Sequence, residues 1–430
     1  MEILNLIVQF FSKPAILVGL ITMVGLVVLK KPFGLIVSGT IKTILGFLIL
    51  NAGAGVVVGA IAPLNSLLFA GFNLKGALPV NEVFVALAQQ KLGQQIALVF
   101  ALAFVINILL ARFTPLKYIF LTGHHTLFMS TLTVGLLGLS VIPNNTPLLI
   151  IVSALITGVS MVVFPALSAP YMEKIIGSKD FVMGHFGTVA YVTAGFLGKF
   201  FGKPEDSSEK LKFPEWISFL KEPLVAMGII AWVLFIIASI AAVSTVGVAE
   251  VQKFYGSTDS WILSSFLSAL TFAAGIGVIL LGVRMILADI VPAFRGFAKV
   301  IVPNAIPALD CPVVFPYAPN AVLLGMLGSI VGQVLTMVIA IAAGGAIGAI
   351  ILPSTIAAFF LGGTAGVFGN ATGGWKGALI GGFLNGIIFT LLAGTAYIAL
   401  GKLGFSNSTF GDADFGVIGN ILSFVGSIFK

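Results

Sequence analysis

In an otherwise apolar chain, the stretch IPALDCPVVFPYAPNA (Ile306–Ala321) sets one carboxylate, Asp310, between Pro307 and Pro312, with Pro316 and Pro319 close behind. Prolines remove backbone donors and release carbonyls from helical pairing. Asp310 therefore stands where main-chain groups are already free to meet a ligand. A carboxylate in that setting can accept hydrogen bonds from a polyhydroxy substrate or take a proton from one of its hydroxyls. The alternative reading is that Asp310 caps a short helix or pairs with a base such as Arg295.

Two histidines raise the same question, His124 in LTGHHTLF and His185 in FVMGHFGT, each preceded by a glycine that lets backbone or ligand come close. A neutral imidazole donates one hydrogen bond and accepts another, which suits sugar hydroxyls, and it is a natural base near neutral pH. The competing reading is a pair of core histidines bridging helices. Asn81 and Glu82 follow Pro79 in GALPVNE, a second broken stretch with polar side chains. Glu82 reads equally as a loop residue in water. The histidine spacings fit no metal-ligand pattern, and no metal or other cofactor is expected. The glycine-rich GGTAGVFGNATGGWKG (Gly362–Gly377) could aim amides at an anion, but no Gly-Lys-Ser/Thr closes it, and tight helix packing explains it as well. The single cysteine, Cys311, excludes an intrachain disulfide and reads as a small buried hydrophobe.

What must position these groups is a membrane protein. Of 430 residues, 59% are hydrophobic and only 9% charged, too few charges to cover a soluble domain of this size. The net charge of +7 is scattered over short loops, which fits positive-inside topology and argues against nucleic acid. Spans are expected at roughly 14–29, 35–57, 94–111, 117–142, 146–169, 223–248, 259–287, 321–351 and 376–400. Apolar but broken segments lie between them at roughly 58–90, 175–200, 300–320 and 353–374. Irregular backbone at membrane depth must be buried in protein or line a cavity, the architecture of transporters with discontinuous helices. The expectation is an all-α polytopic membrane protein of ten or eleven crossings with broken helices and re-entrant hairpins.

Lys30-Lys31 after the first span puts that loop in the cytoplasm and the N-terminus outside. GKPEDSSEKLKFPEWISFLKEP reads as a cytoplasmic linker whose WISFL core forms an interfacial helix, and GVIGNILSFVGSIFK as another such helix. GFLILNA (Gly46–Ala52) is echoed by GVRMILA (Gly282–Ala288), each upstream of a broken segment. This suggests two halves on one plan, residues 1–201 and 223–430, joined by a linker at 202–222.

Taken in order, GTIKTILGFLILNAGAG, LTGHH, FVMGH, ALDCPVVFPYAPNAV and GVFGNATGGWKGA resemble the membrane (IIC) component of the ascorbate-type phosphotransferase system, the ascorbate–galactitol group. The likeness runs over nearly the whole chain. It implies a homodimer in the bacterial inner membrane, each protomer built from inverted repeats as a substrate-holding core and a dimerisation domain. The substrate would be phosphorylated by a phosphocysteine on a separate IIB protein. The family's substrate residues map onto His124, His185 and Asp310, with Gly53 and Ala54 after the second helix, and Asn81 and Glu82. Where ascorbate members carry glutamines after the histidines, this chain has Phe128 and Phe186. That exchanges side-chain amides for an aromatic floor and leaves ascorbate and related sugars or sugar acids open. The rival is a secondary transporter or facilitator that leaves its solute unmodified, with Asp310 or Glu82 carrying a proton.

Overall fold

The computed structural model describes residues 14–73, 76–212, 219, 222–344, 346, 347, 349–401 and 408–428. The WISFL segment, Phe219 apart, falls outside them.

The chain begins with α1 (Pro14–Val28) and α2 (Phe33–Phe72), which Asn73 closes in a left-handed cap with φ of 53°. Strand β1 (Gly76–Pro79) leads into α3 (Asn81–Phe113), and β2 (Tyr118–Phe120) into α4 (Gly123–Ser140). Helix α5 (Thr146–Ile176) is opened by Asn145, whose side chain accepts from the Leu148 amide, and is ended by Gly177 at φ of 74°. Then come β3 (Val182–Met183) and α6 (Thr188–Gly198).

Beyond the linker lie α7 (Pro223–Val246), α8 (Val248–Tyr255) and α9 (Trp261–Ile301). Strand β4 (Ile306–Leu309) runs into a 3-10 turn at Cys311–Tyr317, followed by α10 (Pro319–Ala342) and β5 (Ile350–Ile351). A π-type turn at Ala358–Gly362 enters α11 (Gly363–Leu400), then β6 (Ser408–Thr409) and α12 (Ala413–Ile428) close the described chain.

Among the described residues seven helices are long and apolar enough to cross a membrane, with two shorter apolar ones, Thr188–Gly198 and Ala413–Ile428. The protein is helical and multi-pass, but the element boundaries differ from the hydropathy reading. The run at 321–351 divides, its helix ending at Ala342 before a strand at Ile350. The one at 117–142 starts as a strand and turns helical only at Gly123. The broken stretch before 376 joins the following span in one helix kinked at Gly374, whose φ of 60° and ψ of −153° no helix adopts. The C-terminal helix starts inside the protein, with Asp412 through Phe415 buried.

The unforeseen elements are the strands. Among the described residues there are six, each of two to four residues, and they form two three-stranded parallel sheets in the orders β5-β1-β6 and β2-β4-β3. Gly76 pairs with Ile350 and Leu78 with Ser408 in one, Tyr118 with Ile306 and Val182 with Ala308 in the other. Backbone that leaves a helix in an apolar setting must find partners, and these broken stretches find each other. Each central strand is flanked by strands from the opposite half of the chain.

The helices sort into two packed groups, α1, α2, α7, α8 and α9 in one and α3 to α6 with α10 to α12 in the other. In the first, α2 and α9 run antiparallel and cross where the two echoed motifs meet. A Cβ on Gly46 would stand 2.7 Å from the Gly282 carbonyl oxygen, so both glycines are needed for the approach. In the second, α10 and α11 face each other through Gly325 and Gly366, again with no room for a Cβ. The glycine-rich block is thus a packing surface.

The described part of the linker is held down. Asn370 accepts from the Ser208 amide at 2.8 Å, and Glu209 Oε1 accepts from the amides of Asn320 and Ala321 at 2.9 and 3.2 Å, capping α10. The Asn320 amide group donates to the carbonyls of Ser208 and Leu211. Asn320→Ala removes both of these bonds, and a loss of about 1–2 kcal/mol is expected. It should show as a lower unfolding midpoint in detergent and faster proteolysis at the linker; an unchanged midpoint and cleavage rate would mean the linker is held by its other contacts alone.

Candidate functional site

The C-terminal ends of the two sheets converge. β4 ends in Asp310, which caps the following 3-10 turn by accepting from the Cys311 amide at 2.7 Å. The capping that was the alternative reading of Asp310 is therefore present, and its second oxygen is left for other partners. β3 ends in Gly184 and His185; a Cβ on Gly184 would lie 2.5 Å from the Ala308 carbonyl, so only glycine lets His185 reach this position. β2 delivers His124 and His125 on the first turn of α4. From the other sheet, β1 presents Asn81 and β6 presents Asp412.

These groups form a row. His124 Nε2 is 3.5 Å from Asp310 Oδ2, and His185 Nε2 is 3.8 Å from Asp310 Oδ1. On its far side His185 Nδ1 lies 2.9 Å from the Tyr191 hydroxyl and 3.6 Å from Asp412 Oδ1. Asn81 donates to Asp412 Oδ2 and accepts from the Gly411 amide at 2.7 Å, linking the two sheet ends. His125 Nδ1 accepts from the Phe186 amide at 3.2 Å, so its ring proton sits on Nε2. Beneath, His125 stacks on Phe415 with centroids 5.5 Å apart. Asp414, wholly buried, accepts from the Thr188 and Val189 amides at 2.8 Å each and fixes the start of α6 directly after the His185 segment.

The row opens on a cavity of about 660 Å³ bordered by Asn81, His124, His125, Phe128, His185, Asp310 and Asp412 on one side. The opposite wall comes from α9, through Leu280, Arg284, Ala288 and Pro292. The cavity therefore lies between the two helix groups and is large enough for a sugar-sized ligand.

Of the residues singled out in the sequence, His124, His185, Asp310, Asn81 and Phe128 meet here. Phe186 does not border the cavity; it is fully buried and stacks on Phe120 at 4.9 Å, behind the histidines. Gly53 packs against α9 near Ile279 and Gly275, away from the cavity lining. The side chains of Ala54, Glu82 and Arg295 lie outside the described residues.

His125, Tyr191, Arg284, Asp412 and Asp414 were not anticipated. GDADFG, two aspartates in an apolar C-terminal segment, was a usable signal. Three sets of side chains, His124/His125/Asp310, His125/His185/Asp412 and His185/Asp310/Cys311, bring ligating atoms within 4.8 Å, near enough for a cation. Side chains of these sets also make hydrogen bonds within the protein: Asp310 Oδ1 with the Cys311 amide, His125 Nδ1 with the Phe186 amide, His185 Nδ1 with the Tyr191 hydroxyl. The arrangement works as a hydrogen-bonding wall of alternating carboxylates and imidazoles, suited to hydroxyls and to taking a proton from one of them.

A multi-pass membrane protein with a sugar-sized cavity, one wall of it polar, between two helix groups is the class these features define. The sequence model of the PTS system sugar-specific permease component matches residues 9–414, and the chain belongs to that family, the membrane component of the phosphotransferase system. Among curated proteins, the ascorbate-specific PTS system EIIC component of Mycoplasma pneumoniae is 28% identical over 426 residues. The alignment covers 88% of this chain and 64% of that protein, so the chain spans less than two thirds of the relative's length.

Proposed function

We propose that this protein carries L-ascorbate or a related sugar or sugar acid across the bacterial inner membrane, coupled to phosphorylation by a separate IIB phosphocysteine protein. The observation that carries the reading is the convergence of His124, His185 and Asp310, from three separate strand ends, on one cavity. The substrate hydroxyls lie against this wall, with Asn81 beside it and Phe128 against the ring. At transfer the phosphorus–sulfur bond breaks, the thiolate leaves with IIB, and a phosphorus–oxygen bond forms to the substrate. The hydroxyl proton passes to the Asp310–histidine row. The chain supplies positioning and a proton acceptor, which is most of what phosphoryl transfer needs.

In this reading residues 1–201 and 223–430 are inverted repeats joined by a cytoplasmic linker at 202–222. Support comes from the exchange of strands between the two sheets and the crossing of α2 with α9 at matched glycines. One helix group is the substrate-holding core and the other dimerises, with the N-terminus outside. Sites at such repeat interfaces recur in transporters.

The experiment uses inverted vesicles carrying this protein, purified phosphorylated IIB and labelled ascorbate. Labelled ascorbate phosphate, formed only with both proteins present, is the expected result. Product from another member of a panel of pentoses, hexitols and sugar acids changes the substrate and keeps the mechanism. Uptake of unmodified solute, with no phosphorylated product from any panel member, would overturn the coupling and identify a secondary transporter.

A further inference from the structure

The wall of the cavity facing the histidines carries a cation. Leu280, Arg284 and Ala288 recur at intervals of four on α9 and so share one helix face, which borders the cavity. Arg284 is exposed there, inside the stretch Trp261–Ile286 that is long and apolar enough to span. Among the described residues lining the cavity it is the one lysine or arginine, and no ion pair with a described carboxylate engages it. A guanidinium at membrane depth is strongly disfavoured unless a partner or a wet cavity receives it. Helix packing does not account for it. With Gly46 and Gly282 matched at the crossing of α2 and α9, the position corresponding to Arg284 is Leu48, an exposed apolar side chain. The opposite wall meanwhile holds two carboxylates, Asp310 and Asp412, which repel an anion and favour neutral hydroxyls.

We propose that Arg284 is an oxyanion clamp: it holds the negatively charged end of a ligand whose hydroxyl end lies on the Asp310–histidine wall. A guanidinium presents paired donors that match carboxylate-like and phosphoryl oxygens two at a time. Because Arg284 and the wall belong to different helix groups, a ligand held by both bridges the groups. Two oxyanions fit this chemistry, the acidic group of the substrate itself and the phosphoryl group as it is transferred. In the second case the clamp neutralises charge on the oxygens that the breaking phosphorus–sulfur bond and the forming phosphorus–oxygen bond share. The choice between them rests on the phosphotransferase reading above; the clamp does not.

Inorganic phosphate is the first probe, with thermal unfolding of the purified full chain in detergent compared against chloride at equal ionic strength. Phosphate is expected to raise the wild-type midpoint, Arg284→Gln to abolish the gain, and Arg284→Lys to keep part of it. A gain that survives in Arg284→Gln, or no gain in the wild type, overturns the clamp. The second measurement is binding of ascorbate, a monoanion at neutral pH, and of a neutral hexitol without any phosphoryl donor. Ascorbate binding weakened about tenfold or more in Arg284→Gln with hexitol binding intact places the substrate's acidic group on Arg284. Intact binding of both, with transfer from phosphorylated IIB reduced about tenfold or more, places the phosphoryl group there. Equal loss of both ligands means Arg284 shapes the cavity without reading charge, and overturns the proposal. A wild type that gains from phosphate through Arg284 yet binds neither ligand and forms no phosphorylated product defeats the phosphotransferase reading while the clamp stands.

Discussion

Asp310→Asn is expected to lower transport by about 100-fold or more while the protein stays folded, because a general base at the reacting hydroxyl contributes about that much. The asparagine oxygen can still accept from the Cys311 amide, so the turn after β4 keeps its cap. What disappears is the negative charge between His124 and His185, which the proposed function makes the acceptor for a hydroxyl proton. The comparison to make is substrate uptake and phosphorylation in vesicles beside the detergent unfolding midpoint of the same preparation. Wild-type uptake would remove Asp310 from the chemistry, and a collapsed midpoint would reassign it to structure.

Asp414→Ala is expected to produce the largest stability loss. Both carboxyl oxygens are spent on the first amides of α6, and the Asp414 amide donates to the Phe186 carbonyl at 2.9 Å. Alanine keeps the last of these and leaves two helix-start amides without partners, the buried Thr188 amide at about 1–3 kcal/mol and the partly buried Val189 amide at less. Asparagine, with one acceptor oxygen, should fall between. The effect reaches the cavity because the Thr188 hydroxyl donates to the His185 carbonyl at 2.8 Å, tying that histidine to the same helix start. Midpoints ordered wild type, Asn, Ala, with substrate binding falling in step, are the expected outcome. Equal midpoints in all three would show that these two bonds carry no weight.

The helical, membrane-spanning character was legible because long apolar runs leave little else possible. His124, His185 and Asp310 were legible because polar side chains beside Gly and Pro are conspicuous in such a chain. The strands were not: at two to four residues they are too short for a period-two pattern, and they hide in Gly- and Pro-rich stretches that read only as breaks. With them went the knowledge of which distant strand ends meet. Tyr191 looks like any aromatic in an apolar helix until His185 is found beside it. Asp412 gains meaning only through Asn81 and His185, neither of them near in sequence. Phe186 was assigned to the cavity because it stands where ascorbate members of the resembling family carry a glutamine, yet here the ring is buried against Phe120.

The interleaving of strands also sets the order in which the molecule can be completed. β1 is made early but its two sheet partners come from the last part of the chain, and Asn81 waits 331 residues for Asp412. At translation speeds of about 5–20 residues per second, that is roughly 15–65 s between the synthesis of Asn81 and that of Asp412, with β5 reaching β1 before β6 does. The ribosome therefore delivers the two sheets in stages, β2-β4-β3 complete once β4 is made and β5-β1-β6 only once β6 is made. A chain cut between β5 and β6 keeps β1 on β5 and the whole β2-β4-β3 sheet but lacks Asp412 and Asp414, so one end of the polar row and the anchor of α6 are missing.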